Sequence, residues 1–407
     1  MRILYRPVYE GVLSSLRDIF VEGFPADKVI GRHLKTNRKW GSHDRKLYAE
    51  SVYDLVRWWR RLLHASSVTW PADDRWTSGD FQNLSRGINV WCLIHDVKVD
   101  ENLETPALDS RATLARWRDA SLPRAVRESV PNWMDQWGSE QLGEAWDKVI
   151  AALNTQAPVF LRANRLKTDA KALIEALRSD RVEASIVQDD AVQLAARANV
   201  FLSKSFALGH FEVQDLHSQE VAKALLVEPG QRVIDACAGA GGKSLHLASL
   251  MRNKGKIIAL DIAPKKLEQL RERSTRAGAT SIEIRPIESS KTIKRLAGSA
   301  DRLLLDVPCS GLGVLRRNPD SKWKLSRAEV NQLKETQATI LRSYSPMVKS
   351  GGLMVYATCS VAPEENERQV ENFLSQNESQ WTLEAQTNLL PSENGGDGFY
   401  WARLRKS

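Results

Sequence analysis

Hydrophobic positions change their rhythm twice along the chain. Up to about residue 65 they recur every three or four positions. Tyr5, Val8, Tyr9, Val12, Leu16, Ile19 and Phe20 form one stripe, the mark of an amphipathic helix. Gly23-Phe24-Pro25 breaks that helix, and Pro25 suits the first turn of the next. Ser42 or Asp44 can cap a third, along which Leu47, Val52, Leu55, Val56, Trp59, Leu62 and Leu63 face inward. Between 70 and 131 the period weakens, with prolines at 71, 106, 123 and 131. A Trp/Leu-rich piece at 90–94 makes Cys92 a packed core thiol. Helical spacing returns through Trp133, Trp137, Leu142, Trp146 and Ile150, and the spacing predicts an all-helical first domain over 1–152.

The period then shortens. Residues 158–164 read as a strand, Thr168 and Asp169 start a helix running to Leu177, and short strands follow near 183–187 and 191–194. This βαββ pattern predicts a small α/β module over 153–220. Residues 211–219 lead into a helix that ends near 228–230. From there strand and helix alternate, with strands at 232–237, 256–261, 282–287, 302–306, 353–358 and 398–404. Ser326 and Glu329 form a capping box for a helix to about 349, and Pro363 opens one through Leu374. Alternation of that kind predicts an α/β domain over 221–407, built on a doubly wound parallel sheet.

Composition narrows the class. The chain has 407 residues, 42% apolar and 27% charged, which is globular and too long for one core. No apolar run reaches the roughly 18 residues needed to span a bilayer, and the start lacks the apolar core of a signal peptide. The cysteines, Cys92, Cys237, Cys309 and Cys359, lie far apart with no Cys-x-x-Cys pair, so no metal is expected. A reduced, cytoplasmic protein is the expectation. The net charge of +8 and the pI of about 9.3 are consistent with a polyanionic partner. Arg32, Lys35, Arg38, Lys39, Arg45, Lys46, Arg57, Arg60 and Arg61 concentrate the charge in the first domain. Each alone reads as a solvated helix face; together they predict contact with an RNA backbone. Trp40, beside Arg38 and Lys39, is either a base-stacking ring or a core residue.

The candidate chemistry sits where strands end, because ligands of open parallel sheets bind outside the carboxyl ends. The first turn is Asp235-Ala236-Cys237-Ala238-Gly239-Ala240-Gly241-Gly242-Lys243-Ser244. Its glycines let a backbone approach a ligand at a helix start. A P-loop requires glycine where Cys237 stands, and a dinucleotide turn requires a glycine three positions after Gly241; both patterns fail. A turn for S-adenosylmethionine tolerates Asp235, with Asp261 at the next strand end placed for ribose hydroxyls. Two more strands end in Asp306-Val307-Pro308-Cys309 and Thr358-Cys359, which puts two thiols and a carboxylate in one crevice. If the methyl acceptor is carbon 5 of a cytosine, the chemistry needs a thiolate, an acid near ring nitrogen 3 and a base to take the carbon 5 proton. A thiolate adding at carbon 6 turns the electron-poor ring into an enamine. Lys243 is the candidate cation for lowering a thiol pKa, and Asp306 the candidate for holding ring nitrogen 3. These residues alone do not choose which cysteine attacks.

The blocks 235–243, 306–323 and 356–366 resemble the RsmB/Sun-type RNA cytosine-5 methyltransferases. So do the flanking segments 162–167, 214–219 and 397–405, and the match runs from about 155 to the end. The resemblance implies a Rossmann-like S-adenosylmethionine methyltransferase domain carrying Lys243 and Asp306 in its site. It implies Cys359 as nucleophile and Cys309 as the residue assisting product release. Residues 235–239, 241–243, 261 and 306 would hold the cofactor, with Glu288 nearest to the family's second acidic contact. Ala240 stands where the family has proline, and Arg165 where threonine is common. The small module would be RRM-like, with Arg162, Asn164 and Lys167 on RNA, and the helical region resembles a NusB-like RNA-binding domain. A monomer acting on ribosomal RNA is expected. Transfer RNA as substrate, or a non-catalytic RNA-binding assembly factor, are the rival readings.

Overall fold

We describe the protein from a computed structural model covering residues 2–71 and 81–407. The chain folds into two compact units, Met1–Thr155 with Leu315–Arg327, and Gln156–Val314 with Ala328–Ser407.

In the first unit, helices Arg6–Phe20, Ala26–Thr36, Ser42–Ala65 and Phe81–Ile94 bury their apolar stripes against one another. Val12, Leu16, Leu55, Trp59 and Ile88 form the centre of that core. Gly87 makes room for it, since a Cβ there would come within 2.4 Å of the Trp59 ring. Hydrophobic periodicity does not disclose a two-stranded parallel ribbon, Arg2–Leu4 with Val97–Val99, which pairs residues almost a hundred positions apart.

The expected third domain, 221–407, is interrupted. Leu315–Arg327 belongs to the helical unit instead. Trp323 Nε1 donates to the Val56 carbonyl at 2.7 Å, and Asp320 accepts the Ala26 amide at 3.2 Å. Lys322 is buried, with Nζ donating to the Arg57 carbonyl at 2.6 Å and to Asn154 Oδ1 at 3.3 Å.

The second unit carries two sheets. A four-stranded antiparallel sheet has the order Ala184–Gln188, Ala191–Leu194, Phe160–Ala163, Phe211–Val213, covered by helix Ala170–Ser179 through Leu173 and Leu177. Asp169 caps that helix by accepting the Ala172 amide at 2.9 Å. The larger sheet has seven strands in the order Trp381–Leu389, Phe399–Lys406, Val348–Thr358, Ala300–Asp306, Arg232–Asp235, Lys256–Asp261, Ile282–Pro286. Five are parallel, but the last two in the chain form an antiparallel hairpin at one edge, so the sheet is mixed rather than wholly parallel. The strand order reverses between Arg232–Asp235 and Ala300–Asp306. In open α/β sheets the ligand crevice lies at that switch point.

Candidate active site

The strand Arg232–Asp235 ends in the glycine turn, and helix Gly242–Leu250 begins directly after it. Gly241 has φ +83°, and a Cβ there would lie 2.0 Å from Leu270, so the position admits only glycine. Gly239, at φ +55°, faces open space and donates its amide to Asp261 Oδ2 at 2.8 Å. The Ala263 amide holds the other oxygen of Asp261 at 2.8 Å. Asp235 is buried, with one oxygen bound by Ser244 Oγ at 2.6 Å and the other unpartnered. Burial is the main cause that pushes its pKa up to about 7; Ser244 opposes it and the charge of Asp306 adds to it. Glu288 is exposed just beyond the third parallel strand. Burial likewise raises the pKa of the Cys237 thiol, which keeps its proton.

Across the switch point, Lys243 Nζ meets Asp306 Oδ2 at 2.6 Å. Burial pulls the ammonium pKa down, but the adjacent Asp306 carboxylate more than offsets it, and the net shift is upward. Lys243 is therefore a cation under all ordinary conditions.

The two cysteines end neighbouring strands, and their sulfurs lie 3.3 Å apart. The hydrogen bond to Cys359, followed by burial, raises the Cys309 pKa well above that of an ordinary thiol. Cys309 thus keeps its proton, 3.3 Å from the Cys359 sulfur. Both turns are pinned. Gly313 N donates to the Cys359 carbonyl at 3.0 Å, and a Cβ on Gly313 would lie 2.1 Å from the Gly398 carbonyl oxygen. Beneath the turns sits a buried carboxylate, Glu365. It accepts the Ser310 amide at 2.8 Å, Ser310 Oγ at 2.5 Å, Ser360 Oγ at 2.6 Å and Gln337 Nε2 at 2.9 Å. Sequence patterns assign no role to Glu365, although it lies within the block 356–366 that carries part of the resemblance.

The structure thus brings together the glycine turn with Asp261, and Lys243 with Asp306, and it pairs Cys309 with Cys359. It removes several residues from the expected RNA surface. Arg57, Arg60 and Arg61 turn inward: Arg57 donates to the Arg316 carbonyl, Arg60 to the Val130 carbonyl and Asn132, and Arg61 to the Arg127 and Trp117 carbonyls. A guanidinium has five donors, and these helices leave carbonyls for it to bind. Arg162 and Asn164 are also buried, at 1% and 3% exposure, and cannot touch RNA. Arg162 binds Gln214, while Asn164 ties the Gly209 and Ala277 carbonyls together. Lys167 is exposed but spends its ammonium on the Leu208 and Arg276 carbonyls. Trp40 packs over Gly11 and against Tyr48, so it is a core ring and not a stacking platform. Arg32 pairs with Asp18, and Arg45 donates to the Leu34 carbonyl. Lys35, Arg38 and Lys39 are exposed.

Among the described residues, no three His, Cys, Asp or Glu side chains form a metal-binding group, and no helix is long and apolar enough to cross a membrane.

Residues 222–405 match the profile of the family described as 16S rRNA methyltransferase RsmB/F, and residues 130–201 match the ferredoxin-like domain of RsmF/B-like methyltransferases. The probable ribosomal RNA small subunit methyltransferase B of Synechocystis is 36% identical over 301 residues, which is 69% of this chain and 67% of that one. The ribosomal RNA small subunit methyltransferase B of Pasteurella multocida is 35% identical over 288 residues, 66% of this chain and 64% of its own. A solved methyltransferase homolog from Pyrococcus horikoshii is 25% identical, with a TM-score of 0.62 over 70% of this chain and 97% of that chain. Another crystal structure superposes on 98% of both chains with a TM-score of 0.79; at 21% identity it shows likeness of fold alone.

Proposed function

Because the chain belongs to the RsmB/F family of 16S rRNA methyltransferases, we propose that it methylates carbon 5 of a cytosine in small-subunit ribosomal RNA through a covalent bond from Cys359. The observation that carries this reading is the pair of sulfurs 3.3 Å apart, at the sheet edge that also holds Lys243 and Asp306.

The methyl donor is S-adenosylmethionine, and the residues present fit it. Gly239 leaves open space where any other residue would project, and Asp261, its two oxygens each bound by a backbone amide, is the carboxylate that would take the ribose hydroxyls. Asp235 keeps a buried, unpartnered oxygen at the same turn. Bound there, the cofactor supplies an electrophilic methyl group to carbon 5. The rest of the work falls to the chain. The Cys359 thiolate adds to carbon 6, and ring nitrogen 3 takes a proton from solvent as the charge moves onto the ring, its new N–H donating to the Asp306 carboxylate. Lys243 balances the charge of Asp306 and favours a thiolate nearby. Once carbon 5 is substituted its proton passes to water, ring nitrogen 3 returns its own proton to solvent, and the bond from carbon 6 to sulfur breaks with its electron pair on Cys359, with Cys309 assisting that release. RNA would reach the site with the target base turned out of its stack.

The test is a pair of variants incubated with small-subunit RNA and the methyl donor. Cys309→Ala should accumulate a covalent protein–RNA band on a denaturing gel. Cys359→Ala should give no band and lose turnover on the order of 10⁴-fold or more, while still binding RNA. A band with Cys359→Ala would reverse the two roles, and small-subunit RNA lacking 5-methylcytosine in treated samples would reject the reading.

A further inference from the structure

We propose that Glu365 is the positioning residue of the two-thiol site, a single carboxylate that ties the Pro-Cys turn to the Thr-Cys turn and so sets the separation of Cys309 and Cys359. The catalytic consequence rests on the function proposed above; the geometric one does not.

Four hydrogen bonds converge on this side chain from three segments. Oε1 takes the Ser310 amide at 2.8 Å and Gln337 Nε2 at 2.9 Å, and Oε2 takes Ser310 Oγ at 2.5 Å and Ser360 Oγ at 2.6 Å. Ser310 follows Cys309 and Ser360 follows Cys359, so the carboxylate holds both turns one residue from each sulfur. The two serine hydroxyls also meet at 3.2 Å, and Gln337 closes the frame by donating to the Pro308 carbonyl at 3.1 Å. Glu365 is itself fixed: its own carbonyl accepts Tyr356 OH at 2.6 Å, and the next residue, Asn366, binds Thr358 Oγ1 at 2.5 Å and the Ser360 carbonyl at 3.0 Å. Glu365 is fully buried, and no basic group is among the hydrogen-bond partners described for its carboxylate. A buried carboxylate without a cation is costly unless hydrogen bonds satisfy it. An apolar side chain of this volume would leave the Ser310 amide and hydroxyl, the Ser360 hydroxyl and Gln337 Nε2 without their acceptor, so the two turns are matched to a carboxylate. The charge has a second effect in keeping with the geometry: it helps hold Cys309 protonated, after the larger effects of the Cys359 contact and burial.

Glu365→Gln retains the volume and part of the hydrogen bonding. The full-length variant should melt close to the wild type and bind RNA with unchanged KM. Its kcat should fall about 100-fold, the cost of reacting groups displaced by roughly 1 Å. Phenylarsine oxide, which bridges only adjacent thiols, gives a readout that requires neither cofactor nor RNA. Capture of Cys309 and Cys359 should be fast in the wild type and about tenfold slower in Glu365→Gln. A Ser310→Ala, Ser360→Ala double variant should show the same two effects in milder form. Wild-type kcat together with wild-type capture in Glu365→Gln overturns the proposal. So does a lowered melting temperature with unchanged capture in the folded fraction, which would assign Glu365 to stability only. If the wild type makes no 5-methylcytosine but Glu365→Gln still slows capture, the function reading fails and the positioning role stands.

Discussion

The crevice at the strand ends and the seat of residues 315–327 each hold a lysine, and the two lysines are shifted in opposite directions. Lys243 sits 2.6 Å from the Asp306 carboxylate and its pKa is raised despite burial. Lys322 donates, among the described residues, to a backbone carbonyl and an amide oxygen; burial, reinforced by the charge of Arg57, drives its pKa well down. Desolvation acts on both, so the neighbours decide. A cation paired with an anion at the strand-end crevice keeps its charge. A cation facing dipoles inside a helical core serves as a hydrogen-bond clip, and its charge is a burden.

Removing the anion's partner breaks that contrast most severely. Lys243→Met would leave Asp306 in the crevice without its cation, and kcat should fall about 100- to 1,000-fold in a steady-state methyl-transfer assay. A variant with wild-type turnover would show that Lys243 merely packs beneath the site. The second lysine sharpens the contrast through pH. A buried lysine with a lowered pKa binds its proton less readily when folded than when unfolded. Stability should therefore rise with pH from the lowered folded value up to the ordinary lysine value near 10.4, at a slope of at most about 1.4 kcal/mol per unit. Lys322→Met should flatten that slope in denaturant titrations run between pH 6 and 10; an unchanged slope would place its origin elsewhere. The smallest effect concerns the exposed cations of the first unit. Arg38→Ala with Lys39→Ala should reduce the slope of log affinity against log salt by about one per lost phosphate contact, with no change in kcat. An unaltered slope would take this surface out of the RNA path.

Much of the sheet can be read from the sequence because its parallel strands are continuous apolar runs, as in Leu303-Leu304-Leu305 and Ile257-Ile258-Ala259-Leu260. The edge strand Trp381–Leu389 is hidden for the converse reason. After the buried Trp381 it alternates exposed and half-buried positions, carries polar residues on its outer side, and contains no apolar run. The first three helices can be read from their stripes. The ribbon of Arg2–Leu4 with Val97–Val99 cannot, since only folding brings those segments together. Arginine misleads most. Arg57, Arg60 and Arg162 look like a nucleic-acid surface in one dimension and lie inside the protein in three, because the groups that hold them are distant in sequence.

The amino-acid order by itself determined the chemical inventory: a glycine turn after the first strand, Asp261 after the second, Asp306 and Cys309 after the fourth, Cys359 after the fifth. These follow from local period and turn chemistry, which act over a few residues. Only the tertiary structure decided that the two sulfurs lie 3.3 Å apart, that Glu365 stands under both, and that residues 315–327 leave the α/β unit for the helical one. Distances of that kind are set by packing between segments that are far apart along the chain, and no pattern of neighbouring residues encodes them.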